Sequence, residues 1–306
     1  MNGIPADVEG LARTVPGWGD AELDIEPLEG GITNRNYVVR TGGKAFVLRI
    51  PGRDTELLGI DRANEHRAAR VAADAGIGPE VVAFLPESGC FVSRFVRGDH
   101  IPQEALREDD ALAAVVRSLR ALHACPPIPS TFPVFRIVEG YRVTAETRGV
   151  TIPAAYEDAH DMAERIEEAF DVSPSPLATC HNDLLNANFL RDGDHVWIVD
   201  YEYAGMGDLF FDLGNLAVNN GLDDTARERL LEHYFLGDVR DRHRSRLALM
   251  CLMSDFREAM WGVVQQAISA LDVDFVEYAD RHFGRLLAGA ADPRFDGWLE
   301  AARDPA

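Results

Sequence analysis

Short apolar and β-branched runs alternate with polar positions through the first third of the chain, with the period of two that is typical of β-strands. Thr41-Gly42-Gly43 separates two of these runs and favours a hairpin turn. Residues 61–75 have helical composition and are followed by Gly76, which predicts a single helix before the last two strands. The predicted strands lie at residues 23–25, 37–39, 46–48, 81–85 and 91–96.

Beyond Gly98 the apolar positions recur at spacings of three and four, which is typical of amphipathic helices. One such stripe is Ala111, Leu112, Val115, Val116, Leu119 and Leu122; further helices are predicted at residues 153–170, 225–235, 242–270 and 275–287, and a strand pair at 188–199. The change of period places a boundary near Arg97. We therefore predict an α+β, bilobal architecture, with a small antiparallel five-stranded lobe at residues 1–97 and a larger, mostly helical lobe at 98–306.

Composition and charge exclude several classes of protein. With 46% hydrophobic and 26% charged residues the chain can form a packed core, and its net charge of -21 disfavours nucleic acid as a partner. The four cysteines form no C-x-x-C pair, which argues against a disulfide framework or a zinc knuckle and favours the cytoplasm. The sequence shows no export signal and no run of 18 uncharged apolar residues, so we expect no membrane insertion.

The strongest chemical motif is the H-x-D-x-x-x-x-N segment that begins at His181, followed by an apolar pair and Asp200. Phosphoryl transfer needs an acid that accepts the proton of the attacking hydroxyl and oxygen ligands for Mg²⁺. We assign the first role to Asp183 and the metal-binding role to Asn188 and Asp200, with ATP as the phosphoryl donor. Two alternatives remain: Asp183 and Asn188 are only turn formers and His181 a surface residue, or His181, Asp183 and Asp200 bind the metal of a hydrolase.

A glycine-rich segment between the first two predicted strands is a candidate nucleotide loop. Gly30 and Gly31 would let the backbone approach phosphates, and Thr33 and Asn34 complete the predicted nucleotide-binding set. Taken alone, a Gly-Gly pair is more often a simple hairpin turn.

Lys44 is the only lysine, so either it or an arginine must bind the nucleotide phosphates. Lys44 and Arg49 are five residues apart on one predicted strand, and an odd spacing places them on opposite faces. We predict that Arg49 faces the nucleotide and that Glu65 in the following helix is its ion-pair partner. The alternative is that Glu65 lies on a solvated helix face.

These motifs together resemble the choline/ethanolamine kinase family within the aminoglycoside-phosphotransferase-like group, and the resemblance spans nearly the whole chain. The matching segments are Gly30–Asn34, Val47–Ile50, Cys180–Asp183, Val199–Ala204, Phe211–Asn215 and, on the substrate side, Trp261-Gly262, Gln266–Ser269, Asp274-Phe275 and Tyr278-Ala279. The resemblance implies a protein-kinase-like fold and a kinase for a small hydroxylated acceptor, expected to be cationic. It also implies that Asp212 orders the catalytic loop by accepting hydrogen bonds from backbone amides.

The resemblance makes Trp261 and Tyr278 candidates for an aromatic cage around a quaternary ammonium group. Both could instead be core aromatics. Two departures concern the substrate side: Asn219-Asn220 stands where the family usually has an acid, and Val264 where it has a second tryptophan. Glu202 could contact a second Mg²⁺, bind the substrate amine or pair with an arginine.

The sequence therefore predicts an ATP- and Mg²⁺-dependent kinase that phosphorylates the hydroxyl of choline, ethanolamine or a similar amino alcohol. Two alternatives remain open. One is a kinase for another hydroxylated metabolite, such as an aminoglycoside, a sugar or an amino acid derivative, and the other is a catalytically silent nucleotide-binding module. The sequence does not fix the oligomeric state, and a homodimer is compatible with it.

Overall fold

A computed structural model describes residues 6–28, 34–269 and 271–305. The predicted nucleotide-loop residues Gly30, Gly31 and Thr33 lie outside the described residues. Helix α1 (Ala6–Ala12) precedes the first strands, β1 (Asp24–Leu28), β2 (Asn34–Thr41) and β3 (Lys44–Pro51); helix α2 (Arg62–Asp74) and strands β4 (Val81–Leu85) and β5 (Cys90–Arg94) follow.

The five strands form one antiparallel sheet in the order β1-β2-β3-β5-β4, which confirms the predicted sheet. The turn between β2 and β3 consists of Gly42 and Gly43, both with positive φ (57° and 72°). That conformation belongs to the two-residue hairpin turn whose twist matches the flanking strands, and glycine adopts it without a steric penalty.

The two faces of the sheet have different partners because side chains alternate along each strand. Phe46 and Leu48 point toward a core that α1 and Trp18 complete on one face. Arg49 points to the other face, where its guanidinium meets Glu65 of α2. The alternation along β3 therefore directs a single buried arginine toward the helix, as the spacing predicts.

The rest of the chain is mostly helical, as predicted. It contains β6 (Asp99–His100), α3 (Asp109–His123), α4 (Val134–Thr147), α5 (Ala155–Val172), β7 (Ala178–Cys180), β8 (Phe189–Asp192), β9 (His195–Ile198), β10 (Gly205–Gly207), α6 (Leu209–Asn219), α7 (Asp224–Phe235), α8 (Asp241–Ile268), α9 (Phe275–Ala290) and α10 (Phe295–Ala302). The lobe boundary between residues 97 and 98 stays a prediction. Among the described helices, none combines the length and apolar character needed to cross a membrane.

Four helices, α1, α4, α6 and α10, were not predicted from the periodicity. In α4, valine, isoleucine and threonine are frequent and favour strands. Its buried Val138, Tyr141 and Ala145 nevertheless form a helical stripe, and α4 packs against α8. Packing between distant segments therefore overrides the local preference here.

Helix α8 is the central element of the helical region and contacts α4, α6, α9 and α10. Its crossing with α6 requires a glycine, because a Cβ at Gly214 would lie 2.6 Å from the backbone carbon of Met250. A second close approach occurs where a Cβ at Gly262 would lie 2.8 Å from Tyr278 Cδ1. These contacts fix the positions of α6 and α9 relative to α8, and all three helices carry residues of the candidate site.

Candidate active site

The predicted catalytic loop follows β7 and is held by side chains of α6. Asp212 is fully buried and accepts hydrogen bonds from the backbone N–H groups of His181 (2.8 Å) and Asn182 (2.6 Å). Asn215, one turn further along α6, accepts from the backbone N–H of Leu184 at 2.6 Å. The predicted contact of Asp212 with loop amides is confirmed.

The ring of His181 is used inside the loop. Its Nδ1 accepts from the backbone N–H of Asp183 (3.2 Å), and its Nε2 donates to the carbonyl of Val199 (3.0 Å). Burial lowers the pKa of His181, which favours the neutral ring that this pair of hydrogen bonds requires. Because both ring nitrogens are occupied, His181 cannot bind a metal ion in this arrangement, which argues against the hydrolase alternative.

Asn188 and Asp200 come together through backbone pairing at the end of the β8–β9 hairpin. The N–H of Val199 donates to the carbonyl of Asn188 at 3.0 Å. Asn188 Nδ2 donates to the carbonyl of Asp183 at 2.9 Å, so its Oδ1 is the atom left for a cation. Asp200 has a positive φ of 71°, and its carboxylate is 18% exposed. Amide and carboxylate oxygens are the donors that Mg²⁺ prefers, so these two residues fit the predicted metal site.

The Asp183 carboxylate lies in the same cluster and is 14% exposed. Burial raises the pKa of Asp183 to about 8; Arg257 opposes this shift, while Glu258 and the other site acids reinforce it. A proton acceptor works best when its pKa lies near the operating pH. The environment of Asp183 therefore suits the predicted role.

Arg49 of β3 is shared among three carboxylates of the cluster. Its Nε lies 2.7 Å from Glu65 Oε1, and its Nη2 pairs with Asp200 and lies 3.5 Å from Glu202 Oε2. Burial lowers the pKa of Arg49, but the attraction of the three acids outweighs it and raises the pKa well above its usual value. The predicted ion pair with Glu65 is present. Lys44, in contrast, is exposed.

Glu202 closes this network. Its Oε2 lies 3.2 Å from Arg62 Nη1 and accepts a hydrogen bond from Asn34 Nδ2 at 2.8 Å. Of the three roles considered for Glu202, the structure contains the arginine ion pair. Asn34 thereby connects the start of β2 to the segment that follows Asp200.

The predicted cage residues Trp261 and Tyr278 lie side by side, and both are engaged by other side chains. Trp261 is 7% exposed, donates its Nε1–H to Tyr203 Oη at 3.0 Å and packs edge-on against Phe275 and Tyr278. Tyr278 donates its hydroxyl to Glu258 Oε2 at 2.7 Å. Trp261 is therefore packed as a core aromatic residue. A role of Trp261 in a cage around an ammonium group stays a prediction.

The residues at the two family departures also have structural roles. Val264 is fully buried in the helical core. Asn220 is fully buried and donates to the carbonyl of Leu184 at 2.9 Å, which adds a further support to the catalytic loop.

Sequence reasoning missed Arg257 and Glu258. Arg257 Nη1 lies 2.7 Å from Glu258 Oε1 and 3.5 Å from Asp183 Oδ1, and its guanidinium lies 4.3 Å from the centroid of the Tyr203 ring. Arg257 precedes Trp261 by four positions and Glu258 precedes it by three, so all three residues share one helix face. The signal that could have identified them is a pair of charged residues among the mainly apolar, buried positions that precede Trp261 on α8.

The family is shown by direct comparison with known proteins. Residues 24–248 match the family model described as APH, phosphotransferase enzyme family. The chain therefore belongs to the APH phosphotransferase enzyme family. This membership confirms the predicted kinase-like fold and the predicted enzyme class, a phosphotransferase that acts on an alcohol group.

Similarity to individual proteins covers most of the chain. A choline/ethanolamine kinase family protein from Mesorhizobium loti superposes with a TM-score of 0.83 and 34% identity over 97% of this chain and 98% of that one. Human ethanolamine kinase 2 is 27% identical over 93% of this chain and 80% of its own length. The choline kinase LicA from Streptococcus pneumoniae has the same fold, with a TM-score of 0.74 and 23% identity over 88% of this chain and 94% of LicA.

Proposed function

We propose that the chain is an ATP- and Mg²⁺-dependent kinase that transfers the γ-phosphoryl group to the hydroxyl of a choline- or ethanolamine-like amino alcohol. The observation that carries the proposal is the grouping of Asp183, Asn188 and Asp200, the last of which pairs with Arg49, inside the fold of a phosphotransferase family. These are a proton acceptor, two oxygen donors for a cation and a phosphate-binding cation.

The reaction uses Asp183 as the proton acceptor. The acceptor hydroxyl gives its proton to the Asp183 carboxylate while its oxygen forms a bond to the γ-phosphorus, and the bond from that phosphorus to the bridging oxygen breaks to release ADP. The loop amides bound by Asp212 keep Asp183 at a fixed position on the loop. A fixed position removes much of the orientational entropy from the barrier.

The nucleotide side is assigned to Arg49, Glu65 and the glycine-rich loop. Arg49 would share its donors between the carboxylates and the nucleotide phosphates, with Glu65 keeping its guanidinium oriented. Asn188 Oδ1 and the Asp200 carboxylate would hold Mg²⁺, which neutralises phosphate charge when bound. Relatives named choline and ethanolamine kinases support kinase activity toward an amino alcohol.

The acceptor side favours an ammonium group that carries hydrogens. The Tyr203 ring already lies against the Arg257 guanidinium. The centroid of the Tyr278 ring lies 5.2 Å from the guanidinium carbon of Arg281. Faces occupied by the protein's own cations are less available to a quaternary ammonium. Glu258 Oε2 accepts one hydrogen bond, from Tyr278, and a carboxylate oxygen can accept a second from a primary ammonium. We therefore place ethanolamine ahead of choline among the acceptors.

The test is ATP consumption with Mg²⁺ and a graded set of acceptors. Ethanolamine, its N-methyl and N,N-dimethyl derivatives and choline lose one N–H donor at each step. Because one N–H is enough to bond Glu258 Oε2, we expect the largest fall in kcat/KM at choline, which has none. A lost charge-assisted hydrogen bond corresponds to roughly tenfold or more. Aminoglycosides and small sugars complete the panel.

Two variants anchor the measurement. Asp183→Asn should lower kcat by about 10²- to 10⁴-fold because it removes the proton acceptor. Asp192→Asn changes an exposed acid at the end of β8 and should leave kcat unchanged. Turnover only with aminoglycosides or sugars would assign another acceptor class, and no turnover with any acceptor, together with ATP binding, would identify a silent module.

A further inference from the structure

Arg257 is a buried cation next to the proposed proton acceptor. Its side chain is 2% exposed, and it lies on α8 with Glu258 as its short-range partner at 2.7 Å. Burying a guanidinium is costly unless nearby groups compensate its charge. Glu258 and the Tyr203 ring provide that compensation, and they leave the Arg257 Nη1 directed toward Asp183 as well.

The backbone and the side chain of Asp183 are held by different groups. The backbone N–H of Asp183 donates to His181, and its carbonyl accepts from Asn188. Within the described residues, Arg257 is the one group that makes a hydrogen bond or ion pair with the Asp183 carboxylate. The direction of the carboxylate therefore depends on Arg257 of α8, which lies 74 residues away in sequence.

The length of this contact suits a catalytic site. Charge-assisted hydrogen bonds between nitrogen and carboxylate oxygen are usually about 2.7–2.9 Å long. Arg257 makes such a bond with Glu258 but stays 3.5 Å from Asp183. The Asp183 carboxylate is thus oriented by a nearby positive charge and keeps its lone pairs available for the hydroxyl proton.

We infer that Arg257 is a positioning residue that directs the Asp183 carboxylate toward the acceptor hydroxyl, with Glu258 holding Arg257 in place. The inference rests on the proposed kinase function, in which Asp183 is the proton acceptor. It assigns to the Arg257–Glu258 pair on α8 a role in catalysis in addition to packing.

The first experiment separates kcat from KM in Arg257→Gln and Arg257→Lys. Misplacement of a reacting group by about 1 Å can cost roughly 10²-fold. We expect Arg257→Gln to lower kcat by about that factor, with KM for ATP unchanged, because Arg257 does not contact the nucleotide side. Arg257→Lys keeps the positive charge beside Asp183 but loses the planar stack on Tyr203, so its kcat should lie between those of Arg257→Gln and the native enzyme.

Arg246→Gln is the matched control. Arg246 is another fully buried arginine of α8, but it donates to the carbonyl of Ala302 (3.2 and 3.0 Å) and makes no contact with Asp183. Its loss should lower thermal stability and leave the kcat of the folded fraction unchanged. Equal losses of kcat in Arg246→Gln and Arg257→Gln would show that Arg257 acts only through packing.

A double-mutant cycle with Asp183→Asn gives the decisive result. If Arg257 acts through Asp183, then Arg257→Gln has no further effect once the carboxylate is gone. The same loss in both backgrounds would overturn the inference. This comparison uses ratios of residual activity and does not depend on how strongly either variant destabilises the fold.

The same four proteins of the cycle are also measured for ATP hydrolysis without an acceptor, where water is the nucleophile and Asp183 still accepts the proton. If no amino alcohol is phosphorylated, but Arg257→Gln lowers ATP hydrolysis only when Asp183 is present, the proposed function is overturned and the role of Arg257 is supported. Turnover with no coupling between Arg257 and Asp183 would overturn the role of Arg257 alone.

Discussion

Replacing Arg49 with glutamine removes the cation that Glu65, Asp200 and Glu202 share. Glu65 is 1% exposed and Glu202 4%, so neither can recover solvation after the loss. Arg62 remains 2.6 Å from Glu65 and 3.2 Å from Glu202 and compensates part of the deficit. The variant therefore leaves Glu65 and Glu202 with a single arginine and removes the arginine that pairs with Asp200.

The size of the effect follows from burial. Removing one partner of a buried ion pair typically costs about 3–5 kcal/mol, and the remaining Arg62 places this case near the lower value. For a domain of this size, about 3 kcal/mol corresponds to a fall in Tm of about 6–12 °C. Loss of a charge-assisted hydrogen bond to the nucleotide should also raise KM for ATP by roughly tenfold or more.

The assay is thermal and urea unfolding of Arg49→Gln beside Arg40→Gln. Arg40 lies on the neighbouring strand and also pairs with two acids, Asp24 and Glu26, but its side chain is 49% exposed. Exposed pairs contribute little, so the control should unfold like the native protein. Equal unfolding midpoints for the two variants would refute the argument that burial makes the Arg49 network important.

Three further predictions concern single positions. Lys44→Ala should leave KM for ATP unchanged, because Lys44 is exposed at the hairpin turn; a tenfold rise would reassign the phosphate contact. Asp183→Asn should stabilise the protein in the absence of ligands, and the gain should grow as the pH rises from about 4 to 8. The pKa of Asp183 is raised to about 8 in the folded protein, so the native protein loses stability as the pH rises through this window, because the buried carboxyl is favourable only while it is protonated. The asparagine side chain does not ionise, so the variant avoids this loss. Equal Tm values for variant and native protein at pH 5 and pH 8 would contradict it. Gly214→Ala should destabilise the folded protein by about 2 kcal/mol or more, since the added methyl group overlaps the α8 backbone. Gly284→Ala, on α9 with open space around it, should stabilise the folded protein by up to about 1 kcal/mol. Urea unfolding compares the two variants.

The sequence predicted the elements whose signals are local. The five strands and the Gly42-Gly43 turn follow from period-two alternation and turn chemistry, and the ends of α2 and α8 fall within two residues of the predicted ones. The catalytic loop was also recognisable, because Asp183, Asn188 and Asp200 lie within a short stretch of chain. The odd spacing of Lys44 and Arg49 placed them on opposite faces of the strand, and the position of Lys44 beside the hairpin turn favoured Arg49 as the buried one.

Tertiary structure decided what depends on distant segments. Asp200 lies 151 residues from Arg49, and Arg257 lies 74 residues from Asp183, so no local period reports on these contacts. Helix α4 forms against its strand-favouring composition because burying its apolar stripe on α8 outweighs a weak local preference. The same long-range packing brings the Arg257–Glu258 pair beside the catalytic loop. The sequence thus determined the class of chemistry, and packing around α8 decided which side chains surround the proton acceptor, because burial and charge act through space and not along the chain.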